Sequence, residues 1–175
     1  MRTIETTVYT FDELSKEAKE KVIENLYTIN VDFDWWMFTY EDAERAGLKI
    51  TSFDLDRNRH AEGDFLDTAW ICADKITKEH GENCETYKTA KEFLNSWNVL
   101  VEKYSDGIKT DIVKEENEGE FDREADELEN EFLNSIVEDY SMMLQKEYEY
   151  QMSDEAIIET IEANEYEFTE NGKLI

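Results

Sequence analysis

Residues 120–143 of this chain read EFDREADELENEFLNSIVEDYSMM, within a longer segment that runs from Asp111 to Gln151. Apolar side chains recur in it at steps of three and four, the pattern of one face of an α-helix. They are Phe121, Ala125, Leu128, Phe132, Ile136, Tyr140 and Met143. The stretch therefore predicts a long helix, reaching about Gln151, with a buried apolar stripe and an acidic outer face.

This segment is also the most acidic part of the chain. Residues 111–131 hold eleven Asp and Glu against one Lys and one Arg. Seven carboxylates fall between Glu120 and Glu131, so about 18 Å of helix carries roughly one negative charge per 2.6 Å. Duplex DNA carries one phosphate per about 1.7 Å of its axis, or about 3.4 Å per strand. This density predicts a surface that takes the place of DNA in a basic protein groove. The alternative is a solvated helix face that keeps the protein soluble.

The residues expected to contact a partner are carboxylates of this segment and two tryptophans. The main set is Glu120, Asp122, Glu124, Asp126, Glu127, Glu129 and Glu131, assisted by Glu115, Glu116 and Glu118. Five aromatic residues lie between Phe33 and Tyr40, too many to face one core. Trp35 and Trp36 are the candidates for a partner-facing aromatic patch, and packing in the core is the alternative.

Composition limits the class of protein. The 175 residues carry a net charge of −27, and 40% are apolar and 13% aromatic. This apolar content is enough for a folded core, which a disordered acidic tail lacks. The charge repels nucleic acid and anionic membranes and attracts basic surfaces, so we expect a basic protein partner and no direct binding to nucleic acid or membrane. The sequence leaves open whether the chain forms a homodimer.

Two further features predict the compartment. Neither a signal peptide nor an apolar run of 18 residues is present, and the only cysteines are Cys72 and Cys84. We therefore expect a soluble protein of the cytoplasm, a compartment in which thiols stay reduced.

Local patterns predict an α+β fold: a small antiparallel sheet covered by helices, with a projecting acidic αα-hairpin. The predicted strands are 3–9, 48–56 and one or two after residue 165, and the predicted helices are 15–29, 34–47, 64–80, 84–104, 120–151 and a last one capped by Ser153. We predict an α+β core from residues 1–82 with 152–175. Residues 83–151 would form the long helical hairpin, with an acidic linker at 105–119.

No catalytic motif is recognisable. Phosphate-binding glycine loops and helical zinc motifs are absent, and His60 and His80 are the only histidines. A metal site at Cys72, His80 and Cys84 would need a fourth ligand. We therefore predict a protein that is not an enzyme and binds no metal or cofactor. A carboxylate-bound metal enzyme is the third class of function considered.

Four segments carry a resemblance to a known family. They are RTIE…YTFDELSKEAKEK (2–21), DWW…TYED (34–42), EHGENCETYKTAKEFL (79–94) and LQKEYEY…SDEAIIETIEANEYEFTENGKL (144–174). The chain resembles small acidic proteins carried by phages, prophages and mobile elements of gut Firmicutes, whose members are labelled hypothetical or antitoxin. The family offers no catalytic motif.

The resemblance implies an anti-CRISPR inhibitor of a type II RNA-guided nuclease. Combined with the charge argument, it predicts an anti-defence protein that occupies the nuclease's basic nucleic-acid groove with carboxylates in place of DNA phosphates. The alternative is an antitoxin that neutralises a basic toxin through the same acidic face.

Overall fold

The computed structural model describes residues 7–57, 59–105 and 118–175 of the chain. The helices are α1 (Lys16–Asn25), α2 (Met37–Ala46), α3 (Ala69–Glu79), α4 (Glu85–Tyr104), α5 (Glu118–Gln151) and α6 (Asp154–Ala163), and the strands are β1 (Leu48–Asp54) and β2 (His60–Phe65). A 3₁₀ turn at Phe11–Glu13 precedes α1. Over these residues the protein is helix-rich with one small antiparallel sheet, which confirms the predicted α+β class.

The chain divides into two compact units. One comprises Met1–Trp36 with Lys146–Ile175, and the other comprises Met37–Gln145. The sequence predicts different boundaries, at 82/83 and 151/152. The division differs because the β-hairpin and α3 share one hydrophobic core with α4 and α5, a long-range association that local sequence patterns do not contain.

The sheet of the second unit is a hairpin of β1 and β2. The strands pair antiparallel, from Leu48 opposite Phe65 to Asp54 opposite His60, with an irregularity between Ile50 and Ser52. The prediction for β1 is confirmed. Among the described residues, its partner is β2. The sequence predicts the N-terminal and C-terminal segments in the same sheet, whereas Tyr9, Phe168 and Leu174 form isolated bridges with each other.

Residues 64–68 correct the predicted third helix. They complete β2 and a turn, and α3 begins only at Ala69, where the Thr68 hydroxyl accepts a hydrogen bond from the Ile71 N–H at 3.3 Å. Exposed and half-buried residues alternate along β2, which is the period of a strand. Gly63 permits the pairing, because a Cβ there would lie 2.7 Å from the Lys49 carbonyl oxygen.

Helices α4 and α5 run antiparallel and enclose the main core of the second unit. Phe93 of α4 stacks on Phe132 of α5 with ring centroids 4.4 Å apart, and Phe65 of β2 stacks on the same ring at 5.6 Å. Near the other end of α4, Trp97 and Tyr104 meet Phe121 edge-on at 6.1 and 5.9 Å. This confirms the predicted helical hairpin.

The apolar stripe of α5 is confirmed except at its last position. Ala125, Phe132, Ile136 and Tyr140 are buried, and Phe121 and Leu128 pack as half-buried residues. Met143 is 37% exposed, whereas Leu144 is fully buried. The stripe thus continues from Tyr140 by a step of four, not three.

The first unit packs the two short helices α1 and α6 together. Each begins as predicted at a serine: Ser15 Oγ accepts from the Ala18 N–H and Ser153 Oγ from the Ala156 N–H, both at 3.2 Å. Their core contains Phe11, Leu14, Ala18, Val22, Ile157, Ile161 and Phe168. Isolated antiparallel bridges join Phe168 to Tyr9 and to Leu174. The predicted strand at residues 3–9 lies mostly outside the described residues.

Candidate protein-binding surface

The seven carboxylates between Glu120 and Glu131 form two rows on α5. Side chains three or four residues apart lie on the same side of a helix. One row is Glu120, Glu124, Glu127 and Glu131, and it is called the α4-side row because three of its members line a groove with α4. The opposite row is Asp122, Asp126 and Glu129. The buried stripe runs between the rows, so the predicted acidic face is in fact two acidic flanks.

The groove lies along the contact between α4 and α5. A shallow depression of about 620 Å³ is lined by Ser96, Val99, Leu100, Lys103, Arg123, Glu124, Glu127, Leu128 and Glu131. A smaller one of about 180 Å³ is lined by Thr89, Glu92, Phe93, Ser96, Leu128, Glu131, Phe132 and Ser135. The two share Ser96, Leu128 and Glu131, so they form one continuous feature, called the α4–α5 groove below.

Glu124 differs from the rest of its row because α4 neutralises it. Lys103 Nζ lies 2.7 and 2.9 Å from its two carboxylate oxygens, and the Tyr104 hydroxyl donates to Oε1 at 2.9 Å. These hydrogen bonds, first from Lys103 and then from Tyr104, hold the pKa of Glu124 below its usual value, and the same contact raises the pKa of Lys103. Glu124 therefore joins the two helices and is less available to a partner.

The remaining members of the α4-side row are open to solvent. Glu120, Glu127 and Glu131 are exposed, and none has an ion-pair partner among the residues that the structure describes. Glu92, across the groove on α4, is exposed and unpaired within the same residues. These four carboxylates are the strongest candidates for contact with a cationic surface.

The opposite row is less uniform. Asp122 and Asp126 are exposed, whereas Glu129 is half-buried. Burial raises the pKa of the Glu129 carboxyl, and the negative charge of Asp126 adds to the effect. Glu129 consequently resists ionisation more than a fully solvated glutamate does.

The assisting carboxylates are only partly described. Glu118 is exposed in the first turn of α5, where a negative charge interacts favourably with the helix dipole. Glu115 and Glu116, like most of the predicted linker 105–119, lie outside the described residues.

The aromatic cluster at 33–40 is divided between core and surface. Trp35 is only 9% exposed, with ring centroids 5.5 Å from Tyr148 and 5.6 Å from Trp36. Its burial favours the core alternative for this residue, and Trp36 is half-buried. Phe33 and Phe38 are 63% and 83% exposed. Sequence pattern alone did not separate these two exposed phenylalanines from the tryptophans.

A polar network at one end of the second unit was not predicted. Asp42 accepts hydrogen bonds from Arg45 at 2.8 Å and from the Tyr140 hydroxyl at 3.0 Å, and His80 Nε2 lies 3.4 Å away. His80 Nδ1 in turn lies 2.8 Å from the Thr86 hydroxyl. An acid, a histidine and a hydroxyl thus stand in line, but Thr86 is 3% exposed, so the hydroxyl is closed to a substrate. The network joins α2, α4, α5 and the end of α3.

A second buried contact lies near this network. The Thr89 hydroxyl donates to Asp139 at 2.6 Å across the α4–α5 interface. Asp139 is 7% exposed, and burial raises the pKa of its carboxyl. Asp42 and Tyr140 are 98 residues apart and Thr89 and Asp139 are 50 apart, so no local spacing could have revealed either contact.

Residues 7–57, 59–105 and 118–175 contain no group of three His, Cys, Asp or Glu side chains arranged to hold a metal ion. Cys72 is buried within α3, and Cys84 is exposed at the start of α4. None of the helices in the described part of the chain is both long and apolar enough to cross a membrane.

No protein-family model, curated protein or solved structure matches this chain. The resemblance to acidic phage proteins therefore stays a prediction.

Proposed function

We propose that the protein is a non-enzymatic inhibitor that uses the α4-side row to occupy a basic nucleic-acid-binding groove on a partner protein. The carboxylates of the row take the positions that DNA phosphates would hold. The observation that carries the proposal is that three carboxylates of this row, Glu120, Glu127 and Glu131, are exposed along one side of a long helix and have no ion-pair partner among the described residues.

A partner built for phosphates can reach the carboxylates of the row. From Glu120 to Glu131 the helix rises by eleven residue steps, or about 16 Å, so the four carboxylates lie on average about 5.5 Å apart along the axis, and one of them, Glu124, is paired with Lys103. One DNA strand carries a phosphate per about 3.4 Å of axis. The row is therefore sparser than a DNA strand, and Glu92 on the opposite wall of the groove raises the local density. Arginine and lysine side chains are flexible enough to meet charges at this spacing.

Energetics also favour a cationic partner. Neighbouring carboxylates on one side of a helix repel each other by about 0.2–0.5 kcal/mol per pair. The net charge of −27 adds self-repulsion over the whole chain. Binding to a basic groove relieves this repulsion and releases the counterions that the groove holds when it is empty.

For the partner we propose a type II RNA-guided nuclease, in which a positively charged channel holds the heteroduplex and the displaced strand. The support for this partner is the resemblance to phage-encoded proteins together with the acidic row. The chain would then act in the bacterial cytoplasm as an anti-defence protein. An antitoxin that neutralises a basic toxin would use the same surface against a different protein.

The test measures target-DNA binding and cleavage by a guide-loaded type II nuclease at increasing concentrations of the protein. Two matched variants each remove three negative charges from α5. One changes Glu120, Glu127 and Glu131 to Gln, and the other changes Asp122 and Asp126 to Asn and Glu129 to Gln. Glu124 is left intact because it joins α4 to α5.

We expect the native protein to block DNA binding and the α4-side variant to lose at least about tenfold in potency. The opposite-row variant should lose clearly less. Equal losses of potency in the two variants would mean that inhibition depends on the total negative charge, and this result would overturn the role of the row. Cleavage lost while DNA stays bound would overturn phosphate replacement. No effect of the native protein would overturn the choice of nuclease and turn the search to a basic toxin.

A further inference from the structure

The α4–α5 groove has an apolar floor, which a purely electrostatic surface would not require. Phe93 and Leu100 of α4 and Leu128 and Phe132 of α5 line its length. Val99 stands at the α4 wall and is 66% exposed, in a helix whose other large apolar residues are packed in the core or half-buried. Phe93 and Phe132 are 3% exposed and Leu100 is 7% exposed, so the apolar contact open to a partner comes from Val99 and the half-buried Leu128, beside the charge at the edges.

Charge is distributed along the walls of this groove. Glu92, Glu127 and Glu131 have no ion-pair partner among the described residues, while Lys103 is engaged by Glu124. Arg123 is the one further cation among the lining residues. The groove thus complements a segment with apolar residues along one side and basic residues on its flanks.

The backbone on both sides determines the form of that segment. Both walls are α-helices, whose backbone hydrogen bonds are already made within each helix, so no open strand edge is present for an extended peptide to pair with. Side chains alone must make the contact, and helices pack on helices by fitting side-chain ridges into grooves. From Thr89 to Lys103 the groove runs about 21 Å, the length of about 14 helical residues.

We propose that the α4–α5 groove receives an amphipathic basic helix of the partner protein. Its apolar residues, at steps of three and four, lie on Leu128 and Val99, and its Arg and Lys side chains reach Glu92, Glu127 and Glu131. This inference rests on the proposed function and adds the structural element by which the partner is recognised.

The test uses two synthetic peptides of about 18 residues with the same Leu, Ala, Lys and Arg composition. In one, Leu recurs at steps of three and four; in the other, the Leu residues are dispersed around the helix. Fluorescence anisotropy of the labelled peptides measures binding to the full chain at about 50 mM and about 500 mM salt. Two variants accompany the native protein: Val99→Ser in the groove, and Val8→Ser, at a 40% exposed valine of the other unit, as the matched control.

We expect the amphipathic peptide to bind at least about tenfold more tightly than the dispersed one at both salt concentrations. Val99→Ser should reduce its affinity about fivefold or more and Val8→Ser should leave it unchanged, because only the first removes apolar contact in the groove. Equal affinity of the two peptides, or no effect of Val99→Ser, would overturn the helix inference while the acidic-surface proposal stands. Failure of both peptides to bind at low salt would overturn the proposed function as well.

Discussion

Asp139 is a carboxylate held within the contact between α4 and α5, at 7% exposure. Burial raises the pKa of its carboxyl, the hydrogen bond from Thr89 opposes the rise, and the charges of Glu85 and Glu138 reinforce it. The folded chain therefore holds this proton more tightly than the unfolded chain does. The contribution of Asp139 to stability is then fully present below the unfolded pKa, and is lost as the pH rises through the folded pKa.

The first prediction follows from this loss of stability with rising pH. Asp139→Asn imitates the protonated form and still accepts the Thr89 hydrogen bond, so it should raise the melting temperature at pH 7. The gain should shrink as the pH falls toward the ordinary range of an aspartate carboxyl, because the raised pKa means that the native carboxyl takes up its proton before the unfolded one does. Thermal unfolding, monitored by circular dichroism, measures the gain in melting temperature at pH 7 and its decrease at lower pH. Asp122→Asn, at an exposed position of α5, is the control for the loss of one charge. A gain that does not depend on pH would contradict the prediction.

The second prediction compares alanine substitutions at two glycines, Gly63 and Gly119. A Cβ at Gly63 would lie 2.7 Å from the Lys49 carbonyl oxygen, whereas one at Gly119, in the first turn of α5, would meet nothing within 4 Å. Gly63→Ala should therefore lower the free energy of unfolding by about 1–3 kcal/mol. Gly119→Ala should raise it by about 0.5 kcal/mol, because alanine favours the helix. Urea unfolding measures the free energy of unfolding of both variants. Equal values for Gly63→Ala and Gly119→Ala would mean that the β-hairpin accommodates the extra carbon.

At the scale of the element, α5 shows how far a helical spacing can be followed. The stripe predicted from spacing runs to Met143 and is confirmed through Tyr140, but steps of three and of four are equally helical, so spacing alone could not choose between Met143 and Leu144. Packing makes the choice, since Leu144 is fully buried and Met143 is 37% exposed.

Truncation of each side chain tests this register. Leu144→Ala should lower the free energy of unfolding by about 2–5 kcal/mol, because it leaves a cavity in a packed interior. Met143→Ala, next to it on the same helix, should cost less than about 1 kcal/mol. Chemical denaturation of both variants provides the measurement. A larger loss of stability for Met143→Ala than for Leu144→Ala would mean that the buried stripe continues through Met143.

Strand β2 is the element that sequence patterns missed. Three of its six residues are half-buried and none is fully buried, so its alternation is a weak signal. The aromatic and apolar residues at its end and just after it, Phe65, Leu66, Ala69 and Trp70, favoured an earlier start of α3. Thr68 is the residue that places the start of the helix, through its hydrogen bond to the Ile71 N–H.

For the whole molecule, electrostatic repulsion is the dominant consequence of composition. The net charge is −27, and the ion pairs in the described part of the chain lie mostly at exposed positions, where each contributes little. Added salt screens the repulsion over distances beyond about 8–10 Å and weakens the exposed pairs less than it relieves the excess charge.

We therefore expect the urea midpoint to rise between about 10 mM and about 300 mM NaCl. Each of the two variants that remove three carboxylates from α5 should show a smaller rise than the native chain, because less charge remains to be screened. Trp fluorescence provides the readout. A midpoint that falls with salt would mean that attractive pairs outweigh the repulsion.

The sequence by itself determined the helices α1, α4 and α6, the strand β1 and the acidity of α5. These features depend on capping residues, alternation and 3.6-residue periodicity, all of which act over a few neighbouring residues. Serines 15 and 153 cap their helices as predicted for this reason.

Only the tertiary structure decided where the boundary between the two units lies and which carboxylates of α5 have an ion-pair partner among the described residues. Glu124 and Glu127 look alike in the sequence, yet Lys103 and Tyr104 engage the first, while the second has no ion-pair partner among the described residues. These contacts bring together residues about twenty positions apart, through the antiparallel packing of α4 on α5. Local spacing carries no information about such pairs, because the distance between their atoms is determined by how whole helices pack.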